Sequence, residues 1–293
     1  MIGRSIIPVV IDTDNALGPP SLGRQGGDVD DAFALSFLLK CKFPIQEIWS
    51  VGGNTSANKA HLNNLYLTEL VEQKIQCQQG LNIREIPVMK EYPAGINSFL
   101  ALGPLTNLSA FLNNKYQPTQ IWMTLGRIFT KGFFPPYWPI EFNATQDLPA
   151  FLNVLSCRYP ITVVPLDVAY RLKINSNHFK RLKTSKVGRY LEENSRGWRW
   201  RSLILKGRSS FPVWDLLNAM ACVHPQVCEI QEGKGYLFKR GLFLCDVLNQ
   251  PATAHDRKKA VLSRDIKIVT NFDQEKLWSI FFQAIEDESL FNR

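Results

Sequence analysis

Short apolar runs, polar turns and longer amphipathic segments follow one another along this chain in a repeating order. Residues 6–11 (IIPVVI) are apolar and mostly β-branched, which suits a buried strand. The apolar segment 32–39 then predicts a helix, and residues 46–51 (QEIWSV) a second strand. That strand runs into Gly52-Gly53-Asn54, where paired glycines let the backbone turn sharply and approach a ligand. Asn54 is placed to cap a helix starting near Ser56, and residues 62–72 are apolar at helical spacing. Residues 86–89 read as a short strand or edge. Residues 98–112 (SFLALGPLTNLSAFL) read as a strand, a tight turn at Gly103-Pro104 and a helix begun by Thr106-Asn107. Further strands are predicted at 120–125 (QIWMTL), 161–168 (ITVVPLDV), 241–247 and 260–269. Helices are predicted at 147–155, through much of 169–209, at 216–222 and at 273–285. The aromatic, proline-rich segment 131–139 is irregular. Strands alternating with helices predict a single α/β domain over residues 1–293, with a mostly parallel open sheet flanked by helices.

Chemistry concentrates where the first strand hands over to the first helix. Asp12 and Asp14 alternate at the strand's carboxyl end, and Asp30-Asp31 open the helix. Open α/β sheets bind their ligands at such strand ends. Close carboxylates repel one another, and a helix N-terminus offsets this by only about 0.3–1 kcal/mol per anion. A hard cation with oxygen ligands, calcium or magnesium, compensates such a cluster far better. The plainer alternative makes Asp12 and Asp14 turn residues and Asp30 a helix cap, although a cap needs one aspartate and this stretch has four.

Composition narrows the class. Hydrophobic residues make up 45% and charged residues 20% of the 293, as in ordinary globular proteins. No segment reaches the roughly 18 apolar residues of a membrane span, and the first strand starts too early for a signal peptide, so a cytoplasmic location is expected. The six cysteines are scattered without CxxC or zinc spacing, and read as free thiols in a reducing compartment. A net charge of +8 raises the question of nucleic acid. The basic residues thicken between 170 and 208 around Trp198 and Trp200, a pattern that belongs more often to a solvated, half-buried helical face than to a nucleic-acid surface, so no nucleic-acid partner is expected. The four histidines (His61, His178, His224, His255) show no partner spacing and receive no role.

The ordered set Asp12-Thr13-Asp14 with Asp30-Asp31, Gly53-Asn54, residues 102–107 (LGPLTN), Glu141-Phe142-Asn143 and Trp214-Asp215 resembles the calcium-dependent, inosine-uridine-type nucleoside hydrolases over nearly the whole chain. The aspartate motif paired with ALGPLTNL carries most of that resemblance. It implies a Rossmann-like fold, a bound Ca2+, a small-molecule nucleoside as substrate and a place in purine salvage and nucleoside metabolism, with a homo-oligomer as the usual assembly. By the same resemblance Asp14 is the calcium ligand that accepts a proton from the attacking water, and Asp31 is a second calcium carboxylate. Leu102 supplies a main-chain carbonyl to the ion, and Asp215 touches both metal and ribose. Asp30, Asn54, Glu141 and Asn143 match sugar contacts. The implied reaction cleaves an N-glycosidic bond through an oxocarbenium-like ribosyl cation, and it calls for no serine or cysteine nucleophile.

This chain also departs from the family pattern. Residues 15–29, rich in glycine and proline and carrying Arg24, separate two aspartate pairs that a very short turn joins in the family. A histidine-glycine substrate loop is missing, and residues 135–139 stand where an asparagine is expected before Glu141. Trp214 replaces the histidine of many pyrimidine-active members, which suggests a purine or modified-purine leaning with tryptophan stacked on the base; a core aromatic at a helix start is the alternative. Two other functions compete. One is a non-catalytic or repurposed relative that binds a ribosyl ligand. The other is a haloacid-dehalogenase-type phosphatase, whose Asp-x-Asp signature Asp12-Thr13-Asp14 shares but whose acidic pair belongs late in the chain.

Overall fold

A computed structural model describes residues 7–18, 28–85, 92–128, 141–207, 210–247 and 254–287. The expected strand at 86–89, the segment 131–139 and most of the insertion, with Arg24, lie outside the described residues. Twelve strands are described: β1 (Val9–Thr13), β2 (Ile45–Ser50), β3 (Gln76–Gln79), β4 (Ser98–Ala101), β5 (Gln120–Thr124), β6 (Arg127–Ile128), β7 (Ile161–Val164), β8 (Lys173–Ile174), β9 (Phe211–Pro212), β10 (Cys228–Leu237), β11 (Phe243–Asp246) and β12 (Leu262–Phe272). Ten of them form one open sheet in the order β3-β2-β1-β4-β5-β7-β12-β10-β11-β6, and β8 pairs with β9 separately.

From β3 to β12 every neighbouring pair is parallel, and β10 then runs antiparallel to both β12 and β11. The fold is therefore the expected mostly parallel α/β sheet with helices against it. Strand β1 is buried from end to end because parallel strands carry helices on both faces. In register, Asp12 lies between Trp49 of β2 and Ala101 of β4. The first aspartate thus sits in the middle of the sheet.

The helices Asp30–Lys40 and Trp214–Val223 pack against one another. Phe33 and Phe37 of the first are completely buried and meet the ring of Phe281 from the helix Gln274–Glu286. The first helix is apolar nearly all round, as a helix enclosed by other helices and a sheet has to be.

Several boundaries differ from expectation. The strand predicted at 161–168 stops at Val164, because Pro165 has no N–H for the ladder and instead opens the helix Leu166–Ala169. Ser56, and not Asn54, caps the helix Ala57–Leu70, accepting from the Lys59 amide at 3.4 Å. Val29 holds the N-cap position of the first site helix, which leaves Asp30 and Asp31 as its first two residues and frees both from capping.

The basic stretch resolves into the helices Ser176–Leu182, Lys186–Asn194 and Arg196–Lys206. Glu192 draws in Lys183, Arg196 and Arg199, while Trp198 packs on Phe211 at 6.3 Å. This is the half-buried helical face that the sequence allowed. His178 stacks on Trp278 at 4.1 Å and completes a capping box with Asn175, a structural role. The cysteines are free thiols. Among the described residues no helix is long and apolar enough to cross a membrane.

Candidate active site

Residues from the carboxyl ends of β1, β2, β4 and β5, all interior strands of the sheet, meet the first turns of two helices. Asp14 follows β1 and is buried; its Oδ2 accepts a 2.5 Å hydrogen bond from the backbone amide of Asn54, beyond β2. Gly103, beyond β4, is packed so closely that a Cβ there would lie 3.0 Å from both the amide nitrogen and Oδ1 of Asp14. Asp12 Oδ1 accepts from Asn107 Nδ2 at 2.8 Å, and the same amide reaches the Ser50 carbonyl at 3.1 Å. Thr13 donates its hydroxyl to Asp31 Oδ1. Thr124, at the end of β5, donates to Asp215 Oδ1 at 2.7 Å.

Asp30, Asp31 and Asp215 each offer a carboxylate oxygen within 4.8 Å of the others. All three stand in the first turn of their helices, where the helix dipole favours negative charge. The two helix ends are also joined directly, since the Asp215 amide donates to Asp30 Oδ2 at 3.4 Å. The expected metal set was Asp14, Asp31, Leu102 and Asp215. The triplet contains Asp30, assigned to the sugar, and Asp14 stands beside it, with Asp31 close enough to raise its pKa.

Electrostatically the cluster is unfinished. Burial pushes Asp12 up to about 8, against the Asn107 hydrogen bond and with Asp31 adding to the shift. Burial raises Asp14 and Asp215 as well, and in both the next cause is the charge of Asp31. Asp30 is raised by burial and then by Asp28 and Asp215. Asp31 itself rises to about 6, burial outweighing the Thr13 hydroxyl that favours its anion. Asp12 Oδ2, Asp14 Oδ1 and Asp31 Oδ2 are buried without a hydrogen-bond partner. Buried polar atoms are nearly always satisfied, and three orphaned hard oxygen donors among mutually repelling carboxylates suit a divalent cation with oxygen ligands. The residues present fit a metal ion.

The other expected residues are placed less directly. The Leu102 amide donates to the Asp12 carbonyl at 2.8 Å, so Leu102 continues β4 alongside the aspartates. Its own carbonyl accepts from Asn143 Nδ2 at 3.1 Å. Glu141 is buried and caps the helix Phe142–Gln146 by accepting from the Ala144 amide at 2.8 Å; burial pushes its carboxyl up to about 7. Trp214 is half-buried, packs against the core and begins the helix that carries Asp215. Sequence reasoning gave no role to Thr13, Asn107 or Thr124, which orient Asp31, Asp12 and Asp215. Their signal was position alone, because each lies within or beside a strand end already marked by aspartate or glycine.

Comparison with known proteins gives this geometry its context. The chain resembles a solved plant nucleoside hydrolase with a TM-score of 0.76 at 20% identity, covering 97% of this chain and 100% of that one. A purine-preferring ribonucleoside hydrolase from Gardnerella vaginalis aligns with a TM-score of 0.72 at 17% identity, over 97% and 98% of the two chains. An inosine-uridine preferring nucleoside hydrolase from Bacillus anthracis aligns at 0.70 and 11% identity, over 96% and 99%. These likenesses establish the fold. No curated protein matches the sequence. Residues 81–279 match the family described as inosine-uridine preferring nucleoside hydrolase. The chain belongs to that family, whose members are N-glycosidases acting on ribonucleosides.

Proposed function

We propose that this chain, acting as one domain over residues 1–293, hydrolyses the N-glycosidic bond of purine or modified-purine ribonucleosides with calcium as its cation. The observation that carries the reading is the convergence of Asp14, Asp30, Asp31 and Asp215, with orphaned oxygens on Asp14 and Asp31, in a chain of this family. Asp14, Asp31, Asp215 and the Leu102 carbonyl would hold the ion, with Asp30 near enough to join them. A bound calcium ion acidifies water and attracts the sugar hydroxyls.

The chain's own groups do the rest. Asp14 takes the proton of the attacking water, a contribution of about 10²- to 10⁴-fold for general base catalysis. Asp30, Asn54, Glu141, Asn143 and Asp215 bind the ribose and hold it. The carboxylates, fixed before substrate arrives, stabilise the positive charge that develops on the ring as the bond to the base breaks. Trp214 stacks on the base and accounts for the purine leaning. The purine-preferring enzyme among the structural relatives supports it, whereas the inosine-uridine preferring one leaves pyrimidines open.

A second reading, binding of a ribosyl ligand without turnover, draws on the Glu141–Asn143 turn. Glu141 Oε2 is engaged as a helix cap and Asn143 Nδ2 with the Leu102 carbonyl, so each has only part of its hydrogen-bonding capacity left for a sugar. Release of free base from purine, pyrimidine and modified ribonucleosides separates the readings, run with calcium, with a chelator, and with Asp14→Ala. Chelator-sensitive release that the variant lacks supports the hydrolase. Calcium binding with no release across the panel favours the ribosyl-binding relative.

A further inference from the structure

The two aspartate pairs are separated by residues 15–29, and a long excursion there would loosen both of its roots unless something held them. The root that leaves Asp14 is held by buried side chains from two other helices. Asn15, fully buried, accepts from the Leu17 amide on its own Oδ1 at 3.0 Å, which turns the chain back on itself. Its Nδ2 donates to Asn64 Oδ1 at 3.1 Å, and Asn64 Nδ2 continues to Ser50 Oγ at 3.1 Å. The Asn15 carbonyl accepts from Asn63 Nδ2 at 2.8 Å, and the Leu17 carbonyl accepts from the Tyr190 hydroxyl at 2.8 Å. Asn63 and Asn64 belong to the helix Ala57–Leu70 and Tyr190 to Lys186–Asn194, and the Tyr66 and Tyr190 rings meet at 5.6 Å where these helices touch.

This network runs into the cluster itself. The Asn15 amide donates to Thr13 Oγ1 at 3.2 Å, and that hydroxyl donates onward to Asp31. At its far end Ser50 also receives Asn107, the residue that orients Asp12. A side chain on Asn15 that no longer met Asn64 would therefore release the backbone that aims Asp14 and the hydroxyl that aims Asp31 together.

We infer that Asn15, Asn64 and Tyr190 are positioning residues that clamp the chain leaving Asp14, so that the long insertion does not disturb the geometry of the carboxylates. This rests on the hydrolase reading for its effect on turnover, whereas the clamp itself is read from the hydrogen bonds. Asn63 Oδ1 is buried without a partner, so the hold on the chain comes from the bonds of Asn15, Asn64 and Tyr190. Buried hydrogen-bond networks stiffen the backbone that they engage, and their loss is felt where the chain is otherwise free to move.

The test uses the full chain with Tyr190→Phe, which deletes one hydroxyl, and Asn64→Ala, which cuts the network at its centre. Hydrogen exchange is followed in peptides covering residues 9–18, with residues 161–164 as an internal reference. Calcium affinity is measured by calorimetry, and kcat and KM on whichever ribonucleoside the wild type cleaves. Expected are exchange at residues 15–17 faster by about tenfold, calcium affinity and kcat lower by about the same factor, KM within about twofold, and unchanged exchange at 161–164. Unchanged exchange at 15–17 in Tyr190→Phe overturns the clamp. Faster exchange with calcium affinity and kcat intact also overturns it, since the network would then be structural only. A wild type that neither binds calcium nor releases base refutes the hydrolase reading instead, and exchange alone then decides the clamp.

Discussion

Gly53 and Asp14 touch: a Cβ built on Gly53 would lie 2.0 Å from Asp14 Oδ2, well inside any permitted contact. The carboxylate leans on the bare backbone between β2 and the next helix and takes its hydrogen bond from the neighbouring Asn54 amide. Gly53→Ala should therefore swing Asp14 out of place, and its Cβ would also crowd the buried Pro104, whose Cδ lies 2.8 Å away. A displacement near 1 Å at a catalytic group costs about 10²-fold, so kcat should fall by about that factor, and the crowding of Pro104 should lower the melting temperature as well. Steady-state kinetics and a thermal melt check this together. Near-wild-type kcat would remove Asp14 from the role of base.

The buried acids make the cation-free protein sensitive to pH, with a definite sign. Asp12, Glu141 and Asp31 have folded values of about 8, 7 and 6, against 3.8 to 4.5 without the fold. Between those limits the folded chain keeps protons that the unfolded chain has lost, and stability falls as pH rises. In chelator these groups should make the melting temperature decline steadily as pH rises from about 4.5 to about 8. Added calcium takes the place of the proton on Asp31 and should flatten part of the decline, most visibly at the alkaline end. A melting temperature that rises with pH in chelator would contradict the buried cluster.

Thr124→Val keeps the shape of the side chain and deletes the hydroxyl bonded to Asp215 at 2.7 Å. A hydrogen bond to a charged group contributes about 1.5–3 kcal/mol. The variant should bind calcium about tenfold or more weakly, read by titration calorimetry, with its secondary structure unchanged by circular dichroism. Equal affinity would mean that Asp215 does not need this partner.

Trp214→Ala separates stacking from packing. If the indole lies on the base, kcat/KM should fall more for purine than for pyrimidine ribonucleosides, because stacking contributes about 1–3 kcal/mol per base and the larger ring system gains more. Equal losses for both classes, accompanied by a lowered melting temperature, would make Trp214 a core aromatic.

The fold was legible where pattern and chemistry agreed. The β-branched run before Asp12, the Gly103-Pro104 turn and the amphipathic segment after Asp273 all became the elements they promised. Other elements gave weak local signals. Strand β10 reads CEIQEGKGYL, with two glycines and a lysine that disfavour strands, and it exists because β12 and β11 pair with it on either side. Strand β3, QCQQ, is a polar edge with little hydrophobic pattern to mark it. In the site, the aspartates declared themselves by their number and spacing. Their supports did not, because Asn64, Thr124 and Tyr190 reach the cluster only through tertiary contact and are ordinary residues of a helix or strand when read in line.

The amide-to-carboxylate bond between Asp215 and Asp30 spans 185 residues of chain. No half of this protein can therefore assemble the carboxylate set alone, and long-range closure is among the slow events of folding. A cation held by Asp30, Asp31 and Asp215 would therefore bind a chain that has already folded, and would slow its unfolding more than it speeds its folding.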